Sequence, residues 1–150
     1  MKIIQALAVG VLVSGVAAAA PATPTVEHFP AAPIGPGRPA PFASAVRVGD
    51  MLYLSGQTGD VNGKLAEGFD AQARQSMENI GAILKQHGLG FDDVVKCTVL
   101  LVDMKNWPTF NAIYVPYFPA GKLPARTAIG ANGLAQGALI EVECWAYAGK

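Results

Sequence analysis

The stretch Leu139–Ala148, LIEVECWAYA, alternates so regularly that its two sides can be written out separately. Ile140, Val142, Cys144 and Ala146 form an apolar side; Leu139, Glu141, Glu143, Trp145 and Tyr147 form a mixed one. A period of two is the pattern of a strand with one buried face. Two carboxylates beside Trp and Tyr make an odd solvent face, and carboxylates removed from water need partners. The pattern therefore predicts a sheet with helices on one side and a pocket or subunit surface on the other.

The neighbouring segments extend this reading. Asp93–Met104, DVVKCTVLLVDM, predicts a second long strand, with Val95, Cys97, Val99 and Leu101 on one face and Lys96, Thr98, Leu100 and Val102 on the other. Between Phe69 and His87 the period becomes helical. Ala73, Met77, Ile80 and Leu84 share one stripe, while Gln72, Arg74, Gln75, Glu78 and Lys85 supply the wet side, and Gly88 is a natural stop. Gly81 inside this helix suggests close packing on the sheet. A second helix is expected after Lys105, with Asn106 near its cap, Pro108 in its first turn and Pro116 at its end. Gly49-Asp50 reads as the turn of a hairpin, Asn62-Gly63 as a second turn, and Lys64-Leu65 as the start of a short strand. Ala125–Gly130 completes the set. About six strands and two helices predict an α+β fold, a mixed sheet with both helices on one face. The uncovered face then predicts oligomerisation.

The N-terminal end differs in kind. Residues 1–22 carry a charge at Lys2, an apolar run from Ile3 to Val16 and a tract of small residues, the layout of a cleavable signal peptide. The apolar run is short for a ~20-residue membrane span, so a periplasmic or secreted location is expected, with no membrane attachment after cleavage. Residues 23–41 form a Pro-rich arm that can be neither a regular helix nor a central strand, and His28 within it reads as solvated. Residues 42–150 form the domain. Cys97 and Cys144 read as buried thiols, with one disulfide arithmetically open.

Net charge is zero and charged residues make up 15% of the chain, so no basic field for nucleic acid is present. No P-loop, GxGxxG or CxxC occurs, and two histidines away from acidic clusters give no metal centre. The remaining chemistry lies in Ser55, Gln57, Asn111, Arg126 and Glu141, polar groups at strand and loop ends. A guanidinium offers a rigid two-pronged grip on a small carboxylate, and a carboxylate near it could orient a water.

Six blocks, AVRVGDMLYLSGQTG, QARQSMENIGAILKQHG, DDVVKCTVLLVDM, FNAIYVPYFP, LPARTAIGANGL and IEVECWA, follow one another in the order and spacing of the RidA (reactive intermediate deaminase) proteins. The resemblance covers roughly Phe42 to Tyr147. It implies a chorismate-mutase-like α+β fold and a homotrimer with pockets between subunits. The implied activity is cofactor-free hydrolysis of enamine/imine intermediates such as 2-aminoacrylate to 2-oxo acids and ammonia. By resemblance Arg126 grips the substrate carboxylate, Glu141 holds the attacking water, and Ser55 and Asn111 line the pocket. Two positions depart from the archetype: Phe42 stands in place of a tyrosine and Ala128 in place of a cysteine. A non-catalytic carboxylate binder on the same trimer is the alternative, and ribonuclease activity fits the neutral charge least well.

Overall fold

The computed structural model describes residues 23–149. The signal-peptide reading of residues 1–22 lies outside them. Eleven elements succeed one another: β1 (Val26–Pro30), β2 (Ala43–Val48), β3 (Met51–Leu54), β4 (Gln57–Thr58), β5 (Asp60–Val61), β6 (Lys64–Leu65), α1 (Phe69–Gln86), β7 (Val94–Leu101), α2 (Trp107–Tyr114), β8 (Ala125–Gly130) and β9 (Ile140–Tyr147). Among the described residues, no helix is long and apolar enough to cross a membrane.

The main sheet runs β1-β2-β3-β9-β7-β8, with β4 also paired to β9. Among the described residues only β7 and β8 pair in parallel, and α2 makes the crossover that a parallel pair requires. The mixed sheet with two helices agrees with expectation, but it has seven strands. β5 and β6 stand apart as a two-stranded ribbon, so Lys64-Leu65 does not join the main sheet. Asn62 and Gly63 join that ribbon with φ of 53° and 78°, the pair of positive values a type I′ turn demands. The Pro-rich arm is also more regular than expected. Its first part, β1, pairs along β2 at the edge of the sheet, a place where Pro30 removes no needed ladder bond.

Burial follows the alternation. Ile140, Val142, Cys144 and Ala146 are fully buried, as are Cys97, Val99 and Leu101 opposite them, and α1 contributes Ala73, Met77, Ile80 and Leu84. One position is displaced. The register of β7 against β9 shifts between Val94 and Lys96, so Val95 bulges out to 43% exposure and Val94 takes its place in the core.

Three further expectations are corrected. Gln72 is buried rather than wet: its Nε2 donates to the Ala66 carbonyl, and its Oε1 accepts from the Leu139 N–H. Both ends of the amide are thereby satisfied, which is what makes its burial tolerable. Gly81 packs against the ring of Phe91, not against the sheet. Cys97 and Cys144 face each other across β7 and β9 and form a disulfide, so the buried-thiol reading does not hold.

Asn79 ties α1 to the β4–β5 corner by donating from Nδ2 to the carbonyls of Thr58 and Asp60. The corner itself depends on Gly59, where a Cβ would overlap the Cα and carbonyl oxygen of Gln72. Helix backbone cannot swing aside as a side-chain tip can. Gly59→Ala should therefore destabilise the protein by about 2–3 kcal/mol, as overpacking does, read as a lowered melting temperature.

Candidate functional site

The residues singled out from the sequence fall into two groups. The first surrounds the break between β3 and β4. Tyr53 pairs with Trp145, yet Gln57 pairs with Val142, so the register slips by one residue across Ser55-Gly56. Such slips re-aim side chains beside them. Here Ser55 Oγ turns to donate to the Ala43 carbonyl at 2.6 Å, and Gln57 Nε2 reaches back to the carbonyls of Ser55 and Gly56. Glu141 fills the space that Gly56 leaves empty, its Oε1 lying where a Cβ would stand. Phe42, Ser55, Gln57 and Glu141 line one cleft of about 1010 Å³.

Glu141 is half-buried, and burial raises its pKa above the usual carboxylate range; the nearby charge of Glu143 adds to the rise. A carboxylate so placed is a better proton acceptor than one in water. Glu143 is engaged elsewhere, accepting from Trp145 Nε1 at 3.0 Å.

The second group belongs to α2 and β8. Trp107, Phe110, Asn111 and Tyr114 fall at helical spacing i, i+3, i+4 and i+7, one face of α2. The Arg126 guanidinium lies against that face, 4.4 Å from the Trp107 ring centroid and 4.6 Å from that of Tyr114. Cation–π attraction of this kind contributes roughly 0.5–2 kcal/mol per ring. Arg126 Nη2 donates to Asn111 Oδ1 at 2.7 Å. Nη1 is buried and has no hydrogen-bond partner among the described residues. An unspent charged donor inside a dry aromatic cage is costly unless an anion meets it. Ala128, two residues on, shares this side of β8 and packs against the core. The Tyr114 hydroxyl is likewise buried without a partner, and its pKa is pushed up to about 12 by burial, against the opposing pull of Arg126.

The two groups do not meet within one chain. Arg126 pairs with Cys97, on the helix-covered face of the sheet, whereas Glu141 pairs with Leu100, on the other. Within one chain Arg126 is partnered by Asn111 rather than by Glu141. The stacking residues Trp107 and Tyr114 were missed, although their spacing with Asn111 on one helix face was a readable signal.

Comparison with known proteins bears on the chain as a whole. A family model described as Endoribonuclease L-PSP matches residues 35–148. The 2-iminobutanoate/2-iminopropanoate deaminase of Mus musculus is 42% identical over 117 residues, which span 76% of this chain and 86% of that protein. The Homo sapiens protein of the same name is also 42% identical over 117 residues, 76% of this chain and 85% of its own. Among solved structures, RidA from the Antarctic bacterium Psychrobacter sp. superimposes with a TM-score of 0.70 at 36% identity, covering 84% of this chain and 98% of its own.

Proposed function

The chain belongs to the RidA family, described as Endoribonuclease L-PSP, and from that premise we propose that it hydrolyses reactive imines of 2-amino acids to 2-oxo acids and ammonia. It is a deaminase-like enzyme by its kinship with the named 2-iminobutanoate/2-iminopropanoate deaminases. The observation that carries the substrate reading is the unpartnered, buried Nη1 of Arg126. It offers a charged donor to a small carboxylate, and the aromatic stack on either side keeps water from competing.

In this reading Glu141 holds a water against the imine carbon and accepts its proton. The oxygen adds to the C=N bond, giving a carbinolamine, and the proton passes to nitrogen. The carbinolamine hydroxyl then gives up its proton and nitrogen takes one, so that the C–N bond breaks, ammonia leaves and a carbonyl remains. Imines hydrolyse spontaneously, so positioning the water and gripping the carboxylate are sufficient contributions. Ser55 and Asn111 complete the lining, with Phe42 and Ala128 where the archetype has tyrosine and cysteine.

Because Arg126 and Glu141 project from opposite faces of one sheet, the working site combines Arg126 of one copy with Glu141 of the next. A trimer supplies that arrangement. The sheet face opposite the helices supports it, for Trp145, Tyr147 and Ile129 are exposed there by 38%, 48% and 48%. Export is part of the proposal, supported by the pattern of residues 1–22 and by a disulfide, which persists in oxidising compartments.

The test is ammonia and 2-oxo acid release from imines generated by an amino-acid oxidase, measured above the spontaneous rate. No acceleration, with equilibrium binding of a 2-oxo acid retained, would leave the non-catalytic binder in its place.

A pH dependence follows from Glu141. Its working form is the carboxylate, and its pKa is raised by burial and by Glu143. Activity is therefore present above that raised pKa and lost as pH falls through it, at a higher pH than an ordinary glutamate would give. The stability sign is opposite: ionising Glu141 costs folding free energy, and acidification relieves that cost. Glu143→Gln removes the second cause, so the acid limb of the kcat/KM profile should move to lower pH.

A further inference from the structure

Ile34 and Phe42 are 52% and 55% exposed, yet both line the cleft that holds Ser55 and Glu141. They belong to the segment linking β1 and β2, and Pro30, Ala31, Ala32 and Pro33 line the same cleft. Ser55, Gln57 and Glu141 line it too. The cleft thus brings the apolar side chains of this segment together with the polar groups Ser55, Gln57 and Glu141.

The wall is built rather than loose. The Ile34 N–H donates to the Arg38 carbonyl and the Arg38 N–H to the Gly35 carbonyl, each at 3.0 Å, closing a small turn. Five prolines between Pro30 and Pro41 restrict its backbone further. At its base β1 is laddered to β2, and Ser44 Oγ donates to the Phe29 carbonyl at 3.1 Å. A tethered, proline-stiffened segment holds apolar side chains in water at low conformational cost, which suits it to receive an apolar ligand group.

Size points the same way. Clefts of roughly 300–1,000 Å³ enclose drug-sized ligands, and this one measures about 1010 Å³. Phe42 itself offers a plain ring with no hydroxyl, so nothing on the wall asks for a polar group.

We infer that this site takes imino acids with bulky apolar side chains, branched or aromatic, and that the Ile34–Phe42 wall receives that side chain. The inference rests on the imine-hydrolysis reading and names the substrate class within it. Apolar pockets discriminate a single methylene by roughly 10–200-fold. Leucine- and phenylalanine-derived imines should therefore exceed the alanine-derived imine by at least about tenfold in kcat/KM.

The experiment uses the mature protein with imines made by an amino-acid oxidase from leucine, phenylalanine and alanine, following ammonia above the spontaneous rate. The leucine-to-alanine ratio of kcat/KM should fall toward unity in Ile34→Ser and in Phe42→Ala, with melting temperatures confirming that both variants fold. Equal or reversed preference in the unaltered protein overturns the inference while leaving imine hydrolysis standing. A preference that survives both substitutions overturns the assignment of the wall. No turnover of any imine removes the catalytic reading and the inference together.

Discussion

Arg126→Ala is expected to lower kcat/KM for imine hydrolysis by about 100- to 10,000-fold. Two hydrogen bonds to a charged partner contribute roughly 1.5–3 kcal/mol each, and each 1.36 kcal/mol is a factor of ten. The guanidinium is well prepared for that task. Trp107 and Tyr114 fix its plane, and Asn111 takes Nη2, leaving Nη1 for the ligand. Arg126→Lys should recover only a minor part of the loss, because an ammonium has neither the fork nor the flat face that fits between two rings. The fold should survive both changes, since β8 is an edge strand whose ladder with β7 is made by backbone. Equal rates for the unaltered protein and Arg126→Ala, in a folded variant, would end the carboxylate-grip reading.

What the sequence revealed and what it hid divide along a physical line. The alternation of β9 and the stripe Ala73, Met77, Ile80 and Leu84 were legible because burial imposes a period within a single element. The partnering of elements leaves no such period. Cys97 and Cys144 become neighbours only through the β7–β9 register, and Gln72 is buried only because Leu139 arrives from 67 positions away with an N–H to satisfy. The Val95 bulge is likewise a property of the pair of strands, not of either one. The candidate site was legible in its residue types and illegible in its geometry. Arg126 and Glu141 are fifteen positions apart in the chain, but the side each faces depends on parity along two different ladders, β8 on β7 and β9 on β7. That parity puts them back to back and makes a second copy part of the chemistry.

Reduction of the Cys97–Cys144 disulfide should produce the largest loss of stability. The cysteines are 47 positions apart, and closing a loop of that length stabilises the folded state by about 4 kcal/mol in the chain-entropy account. For a domain of this size that corresponds to a fall of about 15 °C in melting temperature. Both cysteines are fully buried, so a thiol reagent reaches them only when the sheet opens, and reduction of the native protein should be slow without denaturant. The placement matters beyond stability. Cys97 is paired in register with Arg126 on one side and with Cys144 on the other, while Glu141 lies three residues along β9 from Cys144. The covalent bond therefore joins β9, which carries Glu141, to β7, the strand on which the Arg126 strand β8 is laddered. Protein unfolded, reduced and refolded under reductant should melt at the lower temperature and regain the higher one on reoxidation. Unreduced protein, unfolded in the presence of an alkylating agent, should take up no label; two alkylated cysteines with an unchanged melting temperature would return them to the status of buried thiols. That outcome would also withdraw the support the disulfide lends to export, since a chain kept in a reducing compartment would hold the same two cysteines apart as thiols.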